Sequence, residues 1–140
     1  MRADRYKRIS VARQFRGLAS SAICCGKGVL RAGRLIWEFQ VRPSPLCREY
    51  RLRIVYKQGD VPHVFVDDPD LTELAHGESI PHVYQQKPTR LCLYLPGTGQ
   101  WSPEKWIFKT IVPWAMVWLY FFENWLATGE WKGGGVHLEQ

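Results

Sequence analysis

Cys92 is the residue in this chain with the most chemistry within reach. It lies in Leu91-Cys-Leu-Tyr-Leu95, a short apolar segment with the alternation of a strand: Leu91, Leu93 and Leu95 share one face, Cys92 and Tyr94 the other. A turn through Gly97-Thr98-Gly99 follows, then Trp101-Ser102-Pro103-Glu104. There Ser102 is expected to cap a helix, with Pro103 at its first position and Glu104 in its first turn. A cysteine at such a junction is a candidate for nucleophilic catalysis. The thiolate is the nucleophile, it needs access, and a helix N-terminus nearby favours the anion. His82, ten residues upstream, is a candidate to orient or deprotonate a nucleophile. Spacing by itself favours plainer roles. Free cysteine is among the most buried residue types. A histidine such as His63, His76, His82 or His137 is most often a surface or hydrogen-bonded side chain.

Several other chemistries are absent from the pattern. Gly97-Thr98-Gly99 lacks the Gly-Lys-Ser/Thr ending of a phosphate loop and the spacing of a dinucleotide fingerprint. No histidine and carboxylate stand at a triad spacing that would support a protease. The His-x-Glu and Pro-Cys-x-x-Cys signature of zinc deaminases is missing. The cysteines are Cys24, Cys25, Cys47 and Cys92. Adjacent Cys24-Cys25 does not readily chelate one metal, and there is no Cys-x-x-Cys. No metal and no cofactor are expected. With no secretory signal, a disulfide framework is not expected either, and a reducing cytoplasm is the simplest setting.

The net charge of +6 is concentrated at one end. Residues 1–34 carry nine of the 19 Lys and Arg side chains and only one acid, Asp4; the remainder is slightly acidic. That segment suits an acidic partner protein, a nucleic acid or an anionic surface. A nucleic-acid domain would add a basic face interleaved with exposed aromatics or a known motif, and neither is present. Residues 1–25 superficially fit a mitochondrial presequence, but an amphipathic first helix is the preferred reading. Residues 107–126 are strongly apolar. Lys109, Pro113, Glu123 and Asn124 leave no uninterrupted run of the about 20 residues a membrane span needs.

The elements that must hold Cys92 follow from periodicity. Residues 1–32 form a basic helical segment, with Val11, Phe15, Leu18 and Ala22 on one side of a helix over 5–20 that Gly26 and Gly28 break. Trp37, Phe39 and Val41 mark a strand over 34–42. Tyr50, Leu52, Ile54 and Tyr56 mark a second over 47–57. Val61–Val66 is a third, and residues 91–95 a fourth. Residues 67–89, with three prolines, are expected to be a long loop with a helical turn at 71–76. Ile107, Ile111, Trp114, Trp118, Phe121 and Trp125 follow helical spacing, and five of the seven tryptophans fall between 101 and 125. Pro113 is expected to kink or split this helix, Gly129 to stop it and Gly133-Gly-Gly135 to form a flexible end. The 46% hydrophobic content and the length fit one domain over 1–140. A helix, a four-stranded antiparallel meander and C-terminal helices make the class α+β.

Leu91-Cys-Leu with Trp101-Ser-Pro103 and an aromatic helix after it resembles ubiquitin-conjugating enzymes at their catalytic cysteine. The upstream order of basic helix, Trp-containing strand, meander, Pro-x-Val-x-Val strand and long loop agrees. The set Ile80-Pro-His-Val-Tyr84, Leu91-Cys-Leu-Tyr-Leu-Pro96, Thr110-Ile-Val-Pro-Trp114 and Trp125-Leu-Ala-Thr-Gly-Glu-Trp131 with Gly133-Gly-Gly135 is more specific. It resembles the prokaryotic conjugating-enzyme-like proteins of CBASS (cyclic-oligonucleotide-based antiphage signalling) operons over roughly residues 33–137.

The resemblance implies a ubiquitin-conjugating-enzyme-like fold and a partner, a cGAS-like cyclic-nucleotide synthase. The C-terminal carboxyl of that synthase would be held on Cys92 as a thioester and passed to an amine, priming second-messenger synthesis. Carried over by position, Cys92 is the thioester cysteine, and His82 stands at the His of a His-Pro-Asn motif. Val83 and Tyr84 follow it, so the Asn that stabilises the oxyanion is missing; backbone N–H groups of the 96–99 loop, or Thr98, are the replacements considered. The chain contains no ATP-binding activating domain, which implies either a separate activating enzyme or a different route. Two function classes therefore stand: a cysteine-dependent transferase, and a non-catalytic module that binds and stabilises the synthase. A third, a basic RNA- or DNA-binding domain, would show steep salt dependence. The expected setting is the bacterial cytoplasm, with no nucleic acid and no membrane as partners.

Overall fold

The computed structural model describes residues 7–95 and 97–133. Tyr6, Pro96 and the Gly134-Gly135 part of the expected flexible end lie outside the described residues. The class is α+β: helix α1 (Val11–Ser20), strands β1 (Gly26–Arg31), β2 (Arg34–Val41), β3 (Tyr50–Lys57) and β4 (His63–Asp68), a single turn α2 (Leu71–Leu74), strands β5 (Val83–Gln85) and β6 (Thr89–Leu91), a 3₁₀ turn (Ile107–Lys109) and helix α3 (Ile111–Thr128). The sheet has six antiparallel strands in the order β1-β2-β3-β4-β6-β5.

Six strands replace the expected four, for two physical reasons. The first is β1, which lies inside the segment expected to be helical. All six of its residues are exposed, so it lacks the half-buried alternation that identifies a strand. Its glycines are there because β2 comes so close. A Cβ at Gly26 would strike the Glu38 carbonyl, and one at Gly28 would strike the Ile36 carbonyl and meet the Trp37 ring at 2.6 Å. The second is the β5–β6 hairpin, whose strands are three residues each and carry too few positions for a period to register. The expected strand over 91–95 is displaced: β6 ends at Leu91, and Cys92 follows it.

The core lies between one face of β2–β4 and α3. Leu35, Trp37, Phe39 and Val41 of β2, Tyr50, Leu52, Ile54 and Tyr56 of β3, and Val64 and Val66 of β4 are buried by strict alternation. From α3, Ile111, Val112, Ala115, Trp118, Leu119, Phe122 and Trp125 meet them. α1 closes one end. Ser10 caps it by accepting from the Arg13 N–H at 3.2 Å, and Phe15 stands edge-on to Trp37 with ring centres 5.5 Å apart.

The C-terminal helix starts later than the sequence suggests. Ser102 does not cap it; its carbonyl accepts from the Lys105 N–H at 3.0 Å in a turn. Gln14, fully buried on α1, sets the approach instead. Its Nε2 donates to the Lys105 carbonyl at 2.8 Å, and its Oε1 accepts from the Ile107 N–H at 2.9 Å. Pro113 neither kinks nor splits the helix. It falls in the first turn, where a missing N–H forfeits no intrahelical bond. Gly129 ends α3 in the left-handed region, at φ 78°, as expected. No described helix is long and apolar enough to cross a membrane.

Candidate active site

The site is built on the β5–β6 edge. The Gln86 amide braces the hairpin from inside: it accepts from the Ile80 N–H at 3.0 Å and donates to the Ile80 carbonyl at 3.0 Å. Thr89 closes the turn by donating its hydroxyl to the Gln86 carbonyl at 2.6 Å. Val83 pairs with Leu91, which brings residues 82 and 92 opposite one another. The Cys92 N–H donates to the His82 carbonyl at 3.0 Å. The Trp118 indole N–H, from α3, donates to the same carbonyl at 3.0 Å.

His82 holds this position with φ at +54°, a conformation unfavourable for a residue with a Cβ. Two donors on its carbonyl, one from the strand end and one from the helix, fix the peptide there. Its ring is buried, 5.1 Å between centres from Trp131.

Cys92 is only 9% exposed, and its thiol donates to the Tyr94 carbonyl at 3.4 Å. It stands in the wall of an open cleft of about 590 Å³. His82, Tyr94, Trp114, Trp118, Phe121 and Trp131 make most of the remaining wall, and Gln100 and Lys105 also line it. The part of α3 that faces Cys92 is therefore its middle turns, carrying Trp114, Val117, Trp118 and Phe121. Trp114 and Phe121 are half-buried for this reason rather than fully packed. Such a cleft, mostly apolar with a few polar groups, suits an extended chain or acyl group.

The structure brings two of the three sequence-derived residues together. His82 and Cys92 share the cleft. Thr98 lies in the exposed loop beyond, outside the cleft lining, and donates its hydroxyl to the Leu95 carbonyl at 2.6 Å. Gln100 pins that loop by accepting from the Leu95 N–H at 2.8 Å. Among the described residues no group of three or more His, Cys, Asp or Glu side chains is placed to hold a metal ion.

Sequence reasoning put Tyr94 on the face of Cys92 but gave no role to Tyr84 or Arg90. Burial raises the Tyr84 and Tyr94 phenols above their usual range. Hydrogen bonding to Cys92 and the charge of its thiolate add to the rise at Tyr84. The Arg90 guanidinium opposes the rise at both, and it lies 4.5 Å from the centre of the Tyr84 ring. The signal available was modest: Arg90 is two residues before Cys92 in the sequence.

A family model described as Type II CBASS E2 protein matches residues 14–138, from α1 through the whole of the cleft wall. No curated protein matches the chain.

Proposed function

The chain belongs to the Type II CBASS E2 proteins, and from that premise we propose that Cys92 carries the C-terminal carboxyl group of a partner protein as a thioester and hands it to an amine. The partner is a cGAS-like cyclic-nucleotide synthase of the same defence operon, and the reaction takes place in the bacterial cytoplasm. The domain, residues 1–140, has a ubiquitin-conjugating-enzyme-like fold, and its basic α1 is available for docking. One observation carries the reading: Cys92 directly follows β6 in the wall of an aromatic cleft, with His82 beside it.

A free carboxylate does not become a thioester unaided, so the acyl group arrives activated, as an acyl adenylate or thioester made by a separate enzyme. The Cys92 thiolate attacks the carbonyl carbon, the C–S bond forms, and the donor's leaving group departs with its electron pair. In discharge an amine attacks the same carbon. The C–N bond forms, the C–S pair returns to sulfur, and the amine loses a proton. In this reading the His82 imidazole takes that proton, and its carbonyl, which accepts from the Cys92 N–H, holds the sulfur's backbone in register. The loop after Cys92, with Thr98, supplies donors for the oxyanion once the Thr98 hydroxyl leaves the Leu95 carbonyl. Thr98→Ala is then expected to slow transfer without weakening partner binding; unchanged transfer removes Thr98 from the mechanism.

A second reading is a non-catalytic scaffold that binds and stabilises the synthase. The covered thiol of Cys92, turned onto the Tyr94 carbonyl, favours it. Intact mass spectrometry of the chain co-expressed with its operon neighbours, wild type beside Cys92→Ala, separates the two. A thiol-sensitive adduct present only with Cys92 is expected. A stable non-covalent complex identical in both proteins would instead assign the scaffold role.

A further inference from the structure

The side of the sheet that faces away from α3 carries its residues in rows. None of the outward residues of β2, β3 or β4 is buried, and residues paired directly across antiparallel strands share a face. One row is Val29, Ile36 and Val55; the next is Arg31, Arg34 and Lys57. The aliphatic row is open, with Val29 59% exposed and Ile36 and Val55 half-buried, and all three cations are exposed. A two-residue turn, Ala32-Gly33, with φ positive at 53° and 73°, sets Arg31 opposite Arg34. Like charges directly opposite one another destabilise a sheet, and here three stand in line. The ion pairs among the described residues are made by Arg42, Arg53, His63 and Lys87, so none offsets this row. Asp60, the acid nearest Lys57 in sequence, faces His63 at 3.8 Å and accepts from the Val61 N–H. The other flank of the aliphatic row differs. There Glu38 stands between Lys27 and Arg53, and Arg53 also pairs with Asp67 at 3.0 Å. The fold compensates one flank and leaves the other positive.

We propose that this face binds an amphipathic helix of a partner protein. The helix lays its apolar stripe on Val29, Ile36 and Val55, and an adjoining stripe of Asp and Glu meets Arg31, Arg34 and Lys57. The spacing agrees. Neighbouring strands lie about 4.8 Å apart, so the three cations span about 10 Å. Carboxylates one and two turns along a helix, at i, i+4 and i+7, span about 10.5 Å. An apolar centre with a charged rim is the make-up of a protein interface. Nucleic acid fits less well: aliphatic side chains offer a base no ring to stack on, and Phe65 of the same face already lies under the Arg53 guanidinium, 4.4 Å from the ring centre. A second copy of the chain would bring the same row of cations. The face lies apart from the Cys92 cleft, so the proposal stands whatever Cys92 does.

The test uses the purified full chain and a fluorescein-labelled peptide of about 18 residues, long enough to hold a helix, with a leucine stripe beside a glutamate stripe. Binding is read by fluorescence anisotropy at physiological salt, and stability by urea unfolding. Arg34→Glu reverses the central charge of the row. It is expected to weaken peptide binding about ten-fold and, because it replaces two like-charge contacts by two opposite ones, to unfold at a higher urea concentration than wild type. A gain in stability together with a loss of binding marks a charge row kept for a partner; a residue serving the fold alone would not show both. Lys87→Glu, the same charge change at the far edge of the sheet, is expected to leave peptide binding unchanged. Wild type that fails to bind the peptide, or Arg34→Glu that binds it as wild type does, overturns the proposal. So does tighter binding of a labelled single-stranded RNA that Arg34→Glu abolishes, which would make the face a nucleic-acid site.

Discussion

β2 and β3 run eight residues each in unbroken register, whereas β5 and β6 run three each and slip between Val83 and Gln85. The long strands are held by area: alternate side chains are buried against α3, and the backbone ladder follows. The short pair is held by particular groups, namely the Gln86 amide, the Thr89 hydroxyl and the Trp118 indole N–H. A three-residue strand buries too little to fix itself. Hydrogen bonds with direction do so instead, and direction is what placing one sulfur requires. The chemistry proposed here therefore sits on an edge specified by polar contacts, next to a frame specified by packing.

Three substitutions test that contrast. Ile54, fully buried in β3, belongs to the frame. Ile54→Ala is expected to cost about 2–5 kcal/mol in urea unfolding, from lost burial and the cavity left behind. A cost within the range of surface substitutions would mean that packing does not hold the frame.

Gln14 links frame to edge. Gln14→Leu strands the Ile107 N–H in a buried setting and leaves the half-buried Lys105 carbonyl without its donor, and about 1–3 kcal/mol of stability should go with them. Lys105 lines the cleft, so the emission of the cleft tryptophans should change as well. An unaltered spectrum would uncouple α1 from the site.

At His82 the contrast reverses, because the backbone there is unfavourable. His82→Gly, at ease with φ +54°, should be more stable than His82→Ala by about 1 kcal/mol. Equal stabilities would show that the His82 conformation costs nothing.

The frame was legible in the sequence because half-buried strands print their period. Trp37-x-Phe39-x-Val41 and Tyr50-x-Leu52-x-Ile54-x-Tyr56 are the same residues that line the core. β1 was not legible, since its glycines answer to a neighbour's carbonyls rather than to a core. The start of α3 was hidden for a similar reason. Gln14, almost a hundred residues upstream, takes the Ile107 N–H, and no local signal at Ser102 carries that information. Of the site, Cys92 and His82 were visible as residues, but their apposition depends on a hairpin too short to leave a period. Tyr84 fell in the expected loop over 67–89, and its contact with the Arg90 guanidinium exists only because the β5–β6 hairpin forms there.

The most direct measurement maps the adduct itself. The chain is isolated from cells carrying its operon, digested without reductant, and the Cys92 peptide is sequenced by mass spectrometry before and after dithiothreitol. The expected result is a Cys92 peptide bearing the C-terminal residues of the synthase, released by the thiol. An unmodified Cys92 peptide alongside a synthase that still co-purifies would contradict the thioester.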